Sequence, residues 1–315
     1  LGNKTVEGTA GGGTVSVVAP AEWSALTASF ADLAGHDSRQ LLLDLPSLPA
    51  TDLTDVKLQI QLNDDGFVKT VVKRVSFLAA TKATDKPNID GVIAKGEWDD
   101  SMPFVLNRAD QVKGIVGWNG QDDLSGTGYV KWDDDNLYIA VLAKDDVHAQ
   151  EKTAGDIWQG DGIQFAIDMR RAGLADERGY SEIGVALGKN GQVETYRWFA
   201  PAGIPAETAL SNNVKAAVSR NKAKKTTAYE LAIPWTELAA GSFTQKEKSR
   251  IGFSLLINDN DGAGRRGWIE YTSGIGAGKE PTSFGEVYLV KASVNNGNNG
   301  NNGNNGNNGN NGNNG

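Results

Sequence analysis

Residues 127–168 set the tightest limit on what this chain can fold into. Two runs rich in aromatic and β-branched residues, 129–132 and 137–143, flank Asp133-Asp134-Asp135-Asn136. That is the composition of a β-hairpin with an acidic turn. After Asp145-Asp146 a polar stretch carries Trp158, and an apolar, strand-like run resumes at 163–167. Period-two patterning broken by Gly, Asp and Asn reads as sheet. A tryptophan on a Gly- and Asp-flanked loop between strands has no evident core to fill, so Trp158 is the leading candidate for a ligand contact.

The same pattern runs through most of the chain. Before residue 80, strands are expected at 14–18, 25–30, 41–45, 56–62 and 67–78, with a hairpin signal at Asn63-Asp64-Asp65-Gly66. Residues 81–88 are polar, hold Lys82, Lys86 and Pro87, and read as a linker. Beyond it, strands are expected at 181–187, 192–198, 213–218, 226–233, 250–257 and 266–271, with one short helix at 234–240 where Pro234 suits a first turn. Gly184 and Gly252 inside strands suggest bulges or a close backbone approach. The fold class is therefore all-β: an antiparallel β-sandwich at 89–292, jelly-roll-like, preceded by a partial β-sandwich at 1–80. Asn-Asn-Gly, repeated seven times over 295–315, has nothing to bury, so 293–315 is expected to be a disordered linker.

Composition narrows the partners. At 315 residues the chain is long enough for two domains. A net charge of −8 with no basic stripe argues against nucleic acid and against an anionic membrane surface. With no cysteine there is neither a disulfide nor a thiolate metal site. No apolar run approaches the roughly 18 residues that span a bilayer. Leu1 opens the chain with no signal-peptide pattern, as expected of a piece of something longer. His36 and His148 are the only histidines, which argues against a Ser-His-Asp triad or a His-rich metal site.

Six landmarks carry a resemblance. Ile89-Asp-Gly with Gly96-Glu-Trp98, Trp132-Asp-Asp-Asp-Asn-Leu-Tyr-Ile-Ala-Val, and Trp158-Gln-Gly-Asp-Gly-Ile-Gln-Phe-Ala-Ile-Asp come first. Tyr229-Glu-Leu-Ala-Ile-Pro-Trp235, with Ile251-Gly-Phe-Ser-Leu-Leu-Ile-Asn-Asp, and Ser283-Phe-Gly-Glu-Val-Tyr-Leu289 follow in order. Together they resemble the family 9 carbohydrate-binding modules. Residues 1–80 loosely resemble the closing half of a jelly-roll carbohydrate-binding module. The resemblance implies a non-catalytic module of a secreted, multi-modular xylanase-type glycoside hydrolase. Such a module would target the attached catalytic domain to plant cell-wall polysaccharide, xylan or cellulose, outside the cell. Some members of the family grip a reducing-end sugar between two tryptophans and hold structural calcium.

Carried over residue by residue, Trp158 falls on the first tryptophan of that grip. Gln164 falls on a sugar-bonding glutamate, and Gly184 on a binding arginine. Gly278 stands where the second tryptophan is expected. Trp198, Tyr196 and Trp118 are candidates for a replacement second face, although each type is more often a packing residue. Trp98, Trp132, Trp235 and Trp268 sit inside the structural landmarks and are expected in the core. The acidic clusters Asp133–Asp135, Asp145-Asp146 and Asp259–Asp261 offer hard oxygen ligands for calcium, although no EF-hand spacing is present. A structural spacer with a lost sugar site is the alternative. A haem electron-transfer domain using Met102, Met169 and His148 is a more remote one.

Overall fold

The computed structural model describes residues 9–10, 12–19, 26–34, 56–64, 67–75, 77–169, 179–239, 247 and 249–291. The expected strand at 41–45 and the Asn-Asn-Gly repeats lie outside the described residues.

The N-terminal strands are β1 (Thr9–Ala10), β2 (Gly13–Ala19), β3 (Thr27–Phe30), β4 (Leu33–Ala34), β5 (Val56–Asp64) and β6 (Phe67–Val75). They form an antiparallel sheet in the order β3-β2-β5-β6 and a small β1-β4 pair. Asp64 pairs with Phe67 at the end of the β5–β6 ladder, where the sequence signals a hairpin; the connecting Asp65 and Gly66 lie outside the described residues.

The large sheet begins at β7 (Phe77–Lys82). It continues with β8 (Phe104–Leu106), β9 (Val112–Lys113), β10 (Leu124–Trp132), β11 (Asn136–Asp145), β12 (Gly162–Asp168) and β13 (Ser181–Leu187). After them come β14 (Val193–Phe199), β15 (Lys215–Asn221), β16 (Thr226–Pro234), β17 (Arg250–Asn260), β18 (Arg265–Glu270) and β19 (Gly285–Val290). The order is β14-β13-β12-β17-β19-β7-β10-β11-β16-β15, with β18 on β17 and β8 on β10. The two halves of this path pack face to face. Phe165, Ile167, Ile183, Leu255 and Ile257 of one half share a core with Val130, Ile139, Val141, Tyr229 and Leu231 of the other. Burying each such side chain contributes about 1.5–3 kcal/mol relative to leaving it exposed.

Three expectations are corrected. The single strand expected over 67–78 is two strands: β6 pairs with β5, whereas β7 joins the large sheet. There β7 runs parallel to both β19 and β10 and so closes the sandwich. Thr81 and Lys82, assigned to a linker, belong to this strand, and Thr81 is buried with its hydroxyl donating to the Asp100 carbonyl at 3.1 Å. No Gly or Pro interrupts the run at Ser76, so no turn residue marks the change of sheet. The helix expected at 234–240 is one 3-10 turn, Trp235–Glu237. Pairing in β16 runs as far as Pro234, and the Trp235 indole donates to the Asp133 carbonyl at 2.9 Å, which pins the turn to the acidic hairpin.

Candidate functional site

Strand periodicity builds the site. In β12, Ile163, Phe165 and Ile167 point into the core, so Gln164 and Ala166 must face the other way. Gln164 pairs with Gly184 and Leu256, and Ala166 with Glu182 and Ser254, which puts all of them on this second face. Asn258, two residues beyond Leu256, joins them. On β14 the register slips between Glu182 and Ile183: Phe199 pairs with Glu182, but Arg197 pairs with Ile183. This bulge leaves Trp198 as the extra residue. Successive side chains, Trp198 and Phe199, consequently line the same cavity.

That cavity has a volume of about 350 Å³ and opens beside Trp158. Trp158 sits on the 3-10 turn Ala154–Gln159 and is 38% exposed. The turn is anchored by Trp198, whose indole N–H donates to the Gly155 carbonyl at 2.9 Å. Across the floor runs a relay of polar contacts. Lys279 Nζ lies 2.6 Å from Glu182 Oε1, which also accepts from Gln164 Nε2 at 3.3 Å. Gln164 Oε1 accepts from Asn258 Nδ2 at 2.9 Å, and Asn258 Oδ1 accepts from Arg265 Nε at 2.9 Å and Nη2 at 2.7 Å. The Arg265 guanidinium lies over two indoles, 5.2 Å from the ring centre of Trp158 and 4.4 Å from that of Trp268. Glu182 is 1% exposed, and its Oε2 has no hydrogen-bond partner. Burial pushes its carboxyl above the usual range, an effect that Lys279 opposes.

The structure brings Trp158, Gln164 and Trp198 together in this cavity. Tyr196 stands behind them, its ring centre 5.5 Å from that of Trp198 and against Gly155. Trp118 does not take part: it packs on the main core and donates its indole N–H to the Leu124 carbonyl at 3.0 Å. Trp98, Trp132 and Trp235 are buried as expected, but Trp268 is only partly buried and supports Arg265. Glu182, Asn258, Phe199, Arg265 and Lys279 were not singled out by sequence. A charge inside an apolar strand was the available signal for Glu182; Lys279, in a Gly-rich loop, gave none.

A second feature is a carboxylate cluster where β11 and β17 end. Asp145 with Asp259 and Asp261, Asp123 with Asp146 and Asp261, and Asp145 with His148 and Asp161 each bring ligand atoms within 4.8 Å of one another. Asp259 is fully buried, and neither of its carboxylate oxygens has a hydrogen bond. Arg266 Nη1 lies 3.2 Å from Asp259, 3.1 Å from Asp123 and 2.6 Å from Asp261. Burial, and then the charge of Asp145, pushes Asp161 up to about 9. Asp145 is raised to about 7 and Asp259 to about 6, again by burial first. Asp133 is otherwise engaged. Its Oδ1 accepts from the Asp135 and Asn136 amides and its Oδ2 from the Tyr138 hydroxyl, so it shapes the hairpin turn. Met169 is buried in the core, and His148 contacts the Leu187 carbonyl, which leaves both in structural surroundings.

The fold is shared with two solved structures of a family 9 carbohydrate-binding module from Caldicellulosiruptor kristjanssonii. One, in complex with cellotriose, is 17% identical, with a TM-score of 0.51 over 70% of this chain and 96% of that one. The other, in complex with glucose, is 16% identical, with a TM-score of 0.52 over 70% of this chain and 98% of that one. No curated protein matches the chain. The family model described as "Carbohydrate family 9 binding domain-like" matches residues 89–292, the span that holds every residue of the cavity. The chain belongs to that family.

Proposed function

We propose that the cavity beside Trp158 binds a carbohydrate. The observation that carries this reading is an exposed indole standing beside a buried carboxylate oxygen, Glu182 Oε2, that no protein group satisfies. A sugar ring presents C–H groups to an aromatic plane while its hydroxyls donate to fixed acceptors. Glu182 accepts such a hydroxyl, and Gln164 and Asn258 hold that acceptor and Arg265 in register. The complexes of the two solved modules, with cellotriose and with glucose, support a gluco-configured ligand.

The binding is non-catalytic and serves targeting. A weakly held sugar raises the local concentration of a covalently attached glycoside hydrolase at plant cell-wall xylan or cellulose, with the Asn-Asn-Gly segment as tether. Such a role belongs outside the cell. Isothermal titration of the full chain with cello- and xylo-oligosaccharides, beside Trp158→Ala, tests it: binding that disappears in the variant supports the reading, and silence with every glycan sinks it. The spacer reading rests on Gly278, whose Cβ direction opens on empty space where the resemblance implies a second tryptophan.

Calcium would sit at the aspartate cluster. The all-oxygen groups, Asp145–Asp259–Asp261 and Asp123–Asp146–Asp261, suit a hard cation better than the group containing His148. The Asp259 carboxylate, ion-paired with Arg266 but accepting no hydrogen bond, and Asp146 Oδ1, which also accepts none, fit the same reading. Bound there, the ion would tie the ends of β11 and β17 together by neutralising their carboxylates.

A further inference from the structure

Three charged side chains line the cavity: Glu182, Arg265 and Lys279. Lys279 and Glu182 neutralise each other at 2.6 Å. Arg265 remains. Among the described residues, Arg108, Arg197, Arg220, Arg250 and Arg266 each lie within 4 Å of a carboxylate, and Arg265 does not. Acids are not scarce, since the chain carries 39 of them and a net charge of −8.

The guanidinium is also held ready. Two of its N–H groups donate to the neutral Asn258 Oδ1, and its plane is supported by Trp158 and Trp268. An arginine has five N–H donors, so three are left for a ligand. Burial lowers its pKa only to about 10, and it stays charged at neutral pH. A partly desolvated, oriented guanidinium without a counter-ion costs free energy, and a planar carboxylate offsets that cost by accepting two parallel N–H bonds.

We propose that the sugar taken by this cavity is a uronic acid residue, whose carboxylate is read by Arg265 while Glu182 Oε2 accepts one of its hydroxyls. This rests on the carbohydrate-binding reading above and adds the charge of the ligand. An unpaired, oriented cation within an acidic chain draws an anionic saccharide in against the overall charge.

The test compares two ligands on the full chain: a xylo-oligosaccharide bearing glucuronic acid and the same oligosaccharide without it, each titrated at low and at high salt. The acidic ligand is expected to bind about tenfold more tightly at low salt, with the ratio shrinking as salt rises. In Arg265→Gln the ratio falls to about one, whereas Arg265→Lys keeps part of it. Far-UV circular dichroism and thermal melts establish that both variants fold. Equal binding of the two ligands, or a ratio that survives Arg265→Gln and falls in Lys279→Met, overturns the proposal and leaves carbohydrate binding standing. Binding of neither ligand overturns both.

Discussion

Trp198 occupies the space above Gly184. A Cβ on that glycine would lie 2.4 Å from the indole Cη2 and 3.1 Å from Ile157 Cδ1. The position where the family resemblance implies an arginine is therefore filled from the neighbouring strand, and an indole replaces the guanidinium. Gly184→Ala is expected to destabilise the fold by ~1–3 kcal/mol through overpacking, read as a lower midpoint in urea. Gly278 is the converse case, with nothing within 4 Å of its Cβ direction. Gly278→Trp should fold normally and tighten binding of gluco-oligosaccharides by about tenfold, ~1.4 kcal/mol, by supplying a second stacking face.

Trp158 is exposed and carries little of the core. Trp158→Ala should weaken glycan binding by roughly 1.5–3 kcal/mol, the worth of one large apolar face. Its melting temperature should stay near that of the parent. A large drop in the melting temperature would reassign Trp158 to packing.

The Lys279–Glu182 pair joins a half-exposed ammonium to a buried carboxylate. Lys279→Met strands that charge, at a cost of ~1–3 kcal/mol once solvent access to the lysine is allowed for. Because burial raises the Glu182 pKa in the folded state, folding takes up protons there. Stability from this group is therefore present at low pH and falls as pH rises through the folded pKa. The fall should steepen in Lys279→Met and vanish in the Lys279→Met, Glu182→Gln double variant.

Burial, the largest cause in each case, pushes Asp145, Asp161 and Asp259 up to about 7, 9 and 6, all above the ordinary aspartate value. With a chelator present, their contribution favours the folded state at low pH and is lost as pH climbs from about 4 towards 9. Calcium requires the carboxylates ionised, so it should raise the melting temperature more at pH 8 than at pH 5 and release protons on binding. Melts at both pH values, with calcium and with chelator, check this. An effect independent of pH would place the ion elsewhere.

β7 lies between β19 and β10, so the sandwich needs residues before the start of the family match. A chain beginning at Ile89 should be poorly folded, and one beginning at Phe77 should show a cooperative melt. Leu78 and Ala80, both fully buried, are the residues whose loss opens the seam.

The strand ladder was largely legible in the sequence. The hairpin around Asp133–Asn136, the boundaries of β13 and the exposed Trp158 all follow from alternation and turn chemistry. Fewer of the site's residues were legible. Period two tells which residues share a face, but it does not tell which strand lies next door. The failure at 67–78 has the same cause, because no Gly or Pro divides that run although its two halves pair with different sheets.

The sequence by itself determined that this chain is a β-sandwich of a carbohydrate-binding family with Trp158 on a loop between strands. Tertiary structure alone decided what stands beside that tryptophan. Gln164 meets Asn258 across 94 residues and Glu182 meets Lys279 across 97, contacts set by the strand order and by a loop folding back. A one-residue slip in β14 brings Phe199 onto the face where Trp198 already covers Gly184. Such contacts depend on which strands and loops become neighbours when the core is buried, and no local pattern encodes that choice.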